Sequence, residues 1–212
     1  MEPLYAPTGL FVALEGGEGG GKSTQSALLR EWLSDLGHDV LLTREPGGTP
    51  VGAQLRGIVL GLETGELSPR TEALLYAADK AEHVDSVVLP ALEAGQVVVT
   101  DRYVDSSLAY QGAGRVLETA ELERVLRWST RSLRPHLTVL LDVDPAVGLS
   151  RFEGADRIEA EPLEFHQRVR QGFLDLAAAD PAHYVVVAPG GGPDEVHAQI
   201  REALEPWLKE LA

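Results

Sequence analysis

The chain has 212 residues, 44% hydrophobic and 24% charged, which suits one compact domain on the ~150-residue prior and excludes a disordered or fibrous chain. Eighteen Lys and Arg against 33 Asp and Glu give a net charge of −15, a surface that repels nucleic-acid polymers and anionic membranes and leaves any phosphate ligand to local clusters of positive charge. The absence of cysteine excludes disulfides, thiolate chemistry and Cys-built metal sites.

Nothing at the N-terminus, MEPLYAPTG, resembles a basic region followed by an apolar leader, and no run nears the ~18 apolar residues of a spanning helix, so a soluble cytoplasmic protein is expected. In chain order, strand Leu10–Glu15 precedes helix Lys22–Leu36, which ends at Gly37. Strand Asp39–Thr43 precedes helix Pro50–Leu60 and a long helix, Pro69–Ala94, ending at Gly95. Strand Gln96–Asp101 is followed by helix Glu118–Leu133, and strand Leu137–Asp142 by helices Pro145–Phe152 and Pro162–Ala179. Strand Tyr184–Ala188 and helix Asp194–Leu211 complete the chain. The strands are apolar without alternation, predicting a parallel sheet buried on both faces between helices.

The first strand runs into Gly16, Gly17, Glu18, Gly19, Gly20, Gly21, Lys22 and Ser23, a full G-x-x-x-x-G-K-[ST] match, and Thr24 follows inside a helix. Glycines let backbone N–H groups wrap an anion and the helix N-terminus adds its dipole; Lys22 reaches the outer phosphates and the Ser23 hydroxyl ligates Mg²⁺. Binding of a nucleoside triphosphate with Mg²⁺ follows.

The acceptor is read from the later strand ends. Asp101 closes the third strand where a Walker-B carboxylate reaches Mg²⁺, Arg102 follows it, and Arg44 follows the second strand. Two arginines at neighbouring strand ends predict a second anionic group opposite the donor phosphates. A phosphate monoester acceptor is largely dianionic at neutral pH and needs no strong general base, which suits a chain without an evident His–Asp pair. Alternatives are a P-loop kinase for another small acceptor and a nucleotide-binding ATPase or switch subunit acting on a protein.

Across nearly its whole length the chain resembles the bacterial thymidylate kinases. The motifs are FVALEGGEGGGKST, TREPGGT, LLYAADKAEH, DRYVDSSLAYQGAGR, LTVLLDVDPAVGLSR, DRIE and FHQRVRQGFLDLA. The resemblance implies a three-layer α/β P-loop kinase domain over residues 1–212, with a five-stranded parallel sheet and a short lid at about 151–160. The implied reaction is phosphorylation of dTMP by ATP with Mg²⁺, toward dTTP synthesis, in a homodimer whose interface is drawn from helices around Ala73–Leu92 and Leu122–Leu133.

The same resemblance assigns roles by position. Arg102 and Arg56 grip the dTMP phosphate and Glu18 lies near the acceptor sugar. Glu45 and Pro46 shape the loop over the acceptor, with Arg44 beside it. Ser107 and Gln111 face the thymine edge, following Ser106, and Tyr110 lies under the deoxyribose, where it helps reject a 2′-hydroxyl. Tyr76 takes the position that stacks on thymine and Lys80 the position that meets its carbonyl. At these two positions the family usually has phenylalanine and arginine, and lysine lacks arginine's planar fork. Since Gly19 occupies the loop position that elsewhere in the family carries the catalytic arginine, the lid must supply one, with Arg157 in DRIE expected ahead of Arg151. Gly190–Gly192 is read either as a plain turn or as the loop near adenine. His38, His136, His166, His183 and His197 are read as surface or capping groups, and His83 as structural.

Overall fold

The computed structural model describes residues 3–151, 156–188 and 190–210. Five parallel strands form one sheet in the order β2-β3-β1-β4-β5: β1 (Leu10–Glu15), β2 (Val40–Arg44), β3 (Val97–Asp101), β4 (Leu137–Leu141) and β5 (Tyr184–Val187). Observed and expected strands agree to within a residue at either end. The three inner strands are almost wholly buried, as their unbroken apolar runs require. Contrary to expectation, β2 and β5 are only partly buried, because as edge strands each has a sheet neighbour on one side alone.

Helices cover both faces. Helix α1 (Lys22–Asp35) packs with α9 (Pro193–Glu210) over Val12, Leu14, Val97 and Val139, while α3 (Pro69–His83) and α6 (Thr119–Ser129) close the face built on Phe11 and Val98. The expected helix Pro69–Ala94 is three segments in line: α3, a π-helical turn at Val84–Val88, and α4 (Leu89–Glu93). The wider turn stands just before Pro90, whose ring would clash with the carbonyl four residues back in a regular helix. Helix α2 (Pro50–Leu60) is capped by Thr49, whose Oγ1 accepts from Gly52 N at 2.8 Å.

The sequence patterns give no sign of α5 (Val104–Ser107) or of the π-helical run Leu108–Gly114 that extends it. Helices α7 (Pro145–Leu149) and α8 (Leu163–Ala179) flank the expected lid; residues 152–155 of that lid, Phe152 among them, lie outside the described residues, as does Leu211 at the expected end of the last helix.

Several histidines depart from the surface reading. His166 is buried, His136 accepts from Phe11 N at 2.9 Å, and His183 stacks on Tyr5 with centroids 4.7 Å apart. No described helix is long and apolar enough to cross a membrane.

Candidate active site

The strand register assembles the site. β1 pairs Leu14 with Asp101, and β2 pairs Arg44 with the same residue, so the glycine loop leaving β1, the Asp101 carboxylate and Arg44 share one sheet edge. This is the carboxyl end of the strands, where open α/β sheets bind ligands. A cavity of about 550 Å³ opens there and extends from the glycine loop across β3 to α3.

Gly21 takes φ 88° just before α1, a conformation that favours glycine and turns the chain into the helix. Lys22 Nζ donates to Gly16 O at 3.1 Å and Gly17 O at 2.7 Å, curling over the loop. Burial, then the neighbouring Arg102 charge, lowers the Lys22 ammonium to about 8. Ser23 Oγ donates to Asp101 Oδ2 at 2.9 Å. A hydroxyl and a carboxylate meeting at the loop mouth are hard oxygen donors of the kind Mg²⁺ takes when phosphates and water supply its other ligands. Among the described residues no group of three or more His, Cys, Asp or Glu is placed to hold a metal.

Arg102 is the centre of the acceptor side. Its φ of 71° is unusual for a residue with a side chain, and the position is pinned by Arg102 N donating to Leu14 O at 2.9 Å and Thr100 Oγ1 donating to Arg102 O at 2.9 Å. The guanidinium donates to Gly16 O at 3.0 Å, Ser106 Oγ at 3.1 Å and Glu18 Oε1 at 2.7 Å. It also lies 5.0 Å over the Tyr110 ring, whose hydroxyl donates to Glu18 Oε1 at 2.7 Å. Burial alone would raise the Glu18 carboxyl, yet Arg102 and then Lys22 outweigh it and hold the group at about 2.

Glu15, the last residue of β1, is given no role in the sequence reading. It is fully buried and accepts from Tyr103 N at 2.8 Å, Ser106 N at 3.1 Å and Ser106 Oγ at 2.6 Å. It therefore holds the turn that presents Arg102. Burial, with Asp105 adding to it, pushes its carboxyl up to about 7. An acid closing an otherwise apolar strand was the available clue.

The loop after β2 lies over the cavity's acceptor half. Arg56 Nη1 donates to Pro46 O at 3.1 Å, and Gly47 N donates to Asp79 Oδ1 at 3.0 Å. Glu45 is buried, bound to Lys80 Nζ at 2.9 Å and His83 Nδ1 at 2.7 Å, while His83 Nε2 meets Thr43 Oγ1 at 2.7 Å. His83 thus braces the loop, as a structural role requires, and Lys80 is no solvated helix residue. Burial opposes the Glu45 charge, but the Lys80 ammonium and the His83 hydrogen bond hold its carboxyl below the usual range.

At the far end the cavity is lined by Tyr76, Lys80, Ser107, Tyr110 and Gln111. The Lys80 Nζ lies 5.9 Å from the Tyr76 ring centroid, and Ser107 Oγ is buried without a partner. Arg44, Ser106 and Thr24 also face the cavity, whereas Gly190–Gly192 do not line it.

The two lid arginines separate. Arg151 lines the cavity and its Nη1 donates to Gly19 O. Arg157, expected as the catalytic one, is drawn instead into a largely buried ion pair with Glu72 at 2.5 Å, and its Nε donates to Val59 O at 2.8 Å. The buried Glu72 carboxylate, unseen in the sequence reading, is what turns it from the phosphate loop. α7 brings the stem of Arg151 against that loop: a Cβ on Gly19 would collide with Gly148 O, and one on Gly148 with Glu18 O.

Known proteins resemble this chain in sequence and in fold. Residues 14–200 match the family described as thymidylate kinase. A "Thymidylate kinase" of Clavibacter sepedonicus is 57% identical over 198 residues, covering 92% of this chain and 93% of the relative. One from Cutibacterium acnes is 53% identical, covering 94% and 98%. A crystal structure of thymidylate kinase from Ehrlichia chaffeensis aligns with a TM-score of 0.79 at 30% identity, over 94% of this chain and all of that one.

Proposed function

The chain belongs to the thymidylate kinase family, and as an ATP-dependent kinase it converts dTMP to dTDP; we propose that it does so by in-line transfer along the 550 Å³ cavity, with the donor on the glycine loop and the acceptor between Arg102 and α3. The observation that carries this reading is the single cavity lined at one end by Lys22, Ser23 and Asp101 and at the other by Tyr76, Lys80, Ser107 and Gln111, with Arg102 between.

Lys22 leaves the loop carbonyls for the β- and γ-phosphates and takes its full charge there. Ser23 and Asp101 would hold Mg²⁺, which would supply positive charge to offset that of the donor phosphates. Arg102, with Arg56 and Arg44, holds the acceptor phosphate; that group already carries a nucleophilic oxygen at neutral pH, so positioning and charge neutralisation supply the catalysis. Tyr110 packs beneath the sugar and its bond to Glu18 fixes the ring. Arg151 replaces Arg157 as the lid arginine that neutralises the transferring phosphoryl, because it alone of the two lies on the phosphate loop. Residues 151–160 act as the lid of one 1–212 kinase domain.

A homodimer is part of the proposal, supported by two exposed apolar side chains on adjacent helices, Leu74 of α3 and Trp128 of α6. Ala73, Leu92, Leu122, Leu126 and Leu133, within the helices expected to supply the interface, instead face the core.

A coupled ADP-release assay with dTMP, dUMP, dGMP, AMP and no acceptor tests the reading. ADP release dependent on dTMP is expected; release without acceptor would point to an ATPase, and release with AMP but not dTMP would defeat the assignment.

A further inference from the structure

Glu72 of α3 has no solvent exposure, and both its oxygens are engaged. Oε1 accepts from Gln111 Nε2 at 2.9 Å and Arg115 Nε at 3.1 Å; Oε2 accepts from Arg115 Nη2 at 3.1 Å and pairs with Arg157 Nη2 at 2.5 Å. An ionised carboxylate has about four acceptor sites and no donor, so Glu72 is saturated. Burial alone would raise its carboxyl, but hydrogen bonds from Arg115, Gln111 and Arg157 hold it low and keep it an acceptor.

A glutamine amide has one donor end and one acceptor end, and an acceptor-only partner decides which end faces it. Gln111 is buried and lines the base end of the cavity. With its NH₂ committed to Glu72, the end it turns to the cavity is the carbonyl Oε1. Lys80, on the same lining, offers only donors.

We propose that Glu72 is a positioning residue for base specificity: it locks Gln111 with its carbonyl toward the base, so that the site accepts a pyrimidine-2,4-dione and rejects a 4-aminopyrimidine. The inference rests on the dTMP reading of the cavity. A thymine edge presents the O4 acceptor and the N3–H donor, which match Lys80 and Gln111 Oε1 respectively. A cytosine edge presents an amino donor and an N3 acceptor, which oppose like groups at both places. Buried polar groups left unpaired discriminate far more strongly than a missing methyl contact.

Glu72→Gln tests this. The new side chain keeps one oxygen, which Arg115 Nη2 and Arg157 Nη2 claim at the Oε2 place, so its NH₂ stands at the Oε1 place, facing Arg115 Nε as well as Gln111, whose amide turns over to present its oxygen. The dTMP kcat/KM is expected to fall about tenfold or more, mainly through KM, while that of dCMP holds or rises. Glu72→Asp, which remains an acceptor, restores the preference for dTMP. Arg115→Gln breaks the same ion pair without inverting the amide and retains the preference, which separates positioning from a general structural effect. An unchanged dTMP to dCMP ratio in folded Glu72→Gln overturns the proposal.

The unmutated enzyme provides a second measurement that depends on no variant folding. On adding dTMP, the Gln111 side-chain NH₂ resonance is expected to stay in place while the thymine imino proton becomes protected from exchange; an NH₂ that shifts strongly by donating to the base overturns the proposal. Absence of dTMP turnover in the unmutated enzyme would instead defeat the reading on which it rests.

Discussion

Ser23 Oγ donates to Asp101 Oδ2 across 2.9 Å, joining the first turn of α1 to the last residue of β3. That contact puts a hydroxyl and a carboxylate beside the loop that wraps the donor phosphates. Asp101→Asn removes one negative charge from this pair. The Mg²⁺ concentration giving half-maximal rate is expected to rise at least tenfold and kcat to fall, while the glycine loop keeps its shape. A Mg²⁺ titration of initial rates reads this; an unchanged midpoint would remove Asp101 from the metal site.

Arg151 and Arg157 are expected to separate in kinetics as they do in space. Arg151→Ala loses the cation on the phosphate loop, and kcat falls about 10³-fold, in the range of other arginine fingers. Arg157→Ala leaves that cation in place and instead strips one partner from buried Glu72, so it lowers thermal stability and affects KM for dTMP more than kcat. Steady-state kinetics with thermal denaturation of both variants decides; a larger kcat loss in Arg157→Ala would return the role to that residue.

Lys22 sets a pH dependence. Its folded-state value of about 8 lies below the ordinary lysine 10.5 because burial and then Arg102 disfavour the charge. Near pH 8 the free enzyme is half deprotonated there, and a bound triphosphate draws the proton back. ATP binding is therefore expected to take up protons near pH 8, to take up none from Lys22 near pH 6, and to weaken as pH rises through about 8. For stability the sign is fixed by the same shift: between about 8 and 10.5 the unfolded chain binds more protons, so the contribution of Lys22 rises with pH in that window. Calorimetric titration in buffers of different ionisation enthalpy measures the proton count.

Lys80→Ala leaves Glu45 buried without its ammonium partner. Removing one member of a buried pair costs about 3–5 kcal/mol, so thermal denaturation should show a clear loss of stability. The loop over the acceptor is then less well held, and KM for dTMP rises. A variant of wild-type stability would mean that Glu45 finds its compensation elsewhere.

The strands were legible because unbroken apolar runs such as LFVALE and QVVVT admit little else, and the donor site because strand, glycine loop and helix stand together in one stretch of sequence. The acceptor site was legible mainly through resemblance. Ser106, Ser107, Tyr110 and Gln111 hang from a short helix and a π-helical run whose Asp, Ser, Gln and Gly residues carry no apolar period. Glu15 and Glu72 were hidden among 33 acids, since only the packed structure shows which carboxylates are buried and what they orient. The ion pair of Arg157 was hidden for the same reason: DRIE marks an arginine in the lid, but the partner it meets, Glu72, comes from α3.

The mutual contact of Gly19 and Gly148 makes the phosphate loop and the base of the lid one fitted joint. A side chain added at Gly19 would run into the backbone of Gly148, and one added at Gly148 into the backbone of Glu18. An arginine therefore cannot be moved from the lid to the loop by a single substitution in this scaffold: the joint would have to be recut on both sides at once. Exchanging one placement of the catalytic cation for the other is thus a concerted change, with no functional halfway sequence expected between them.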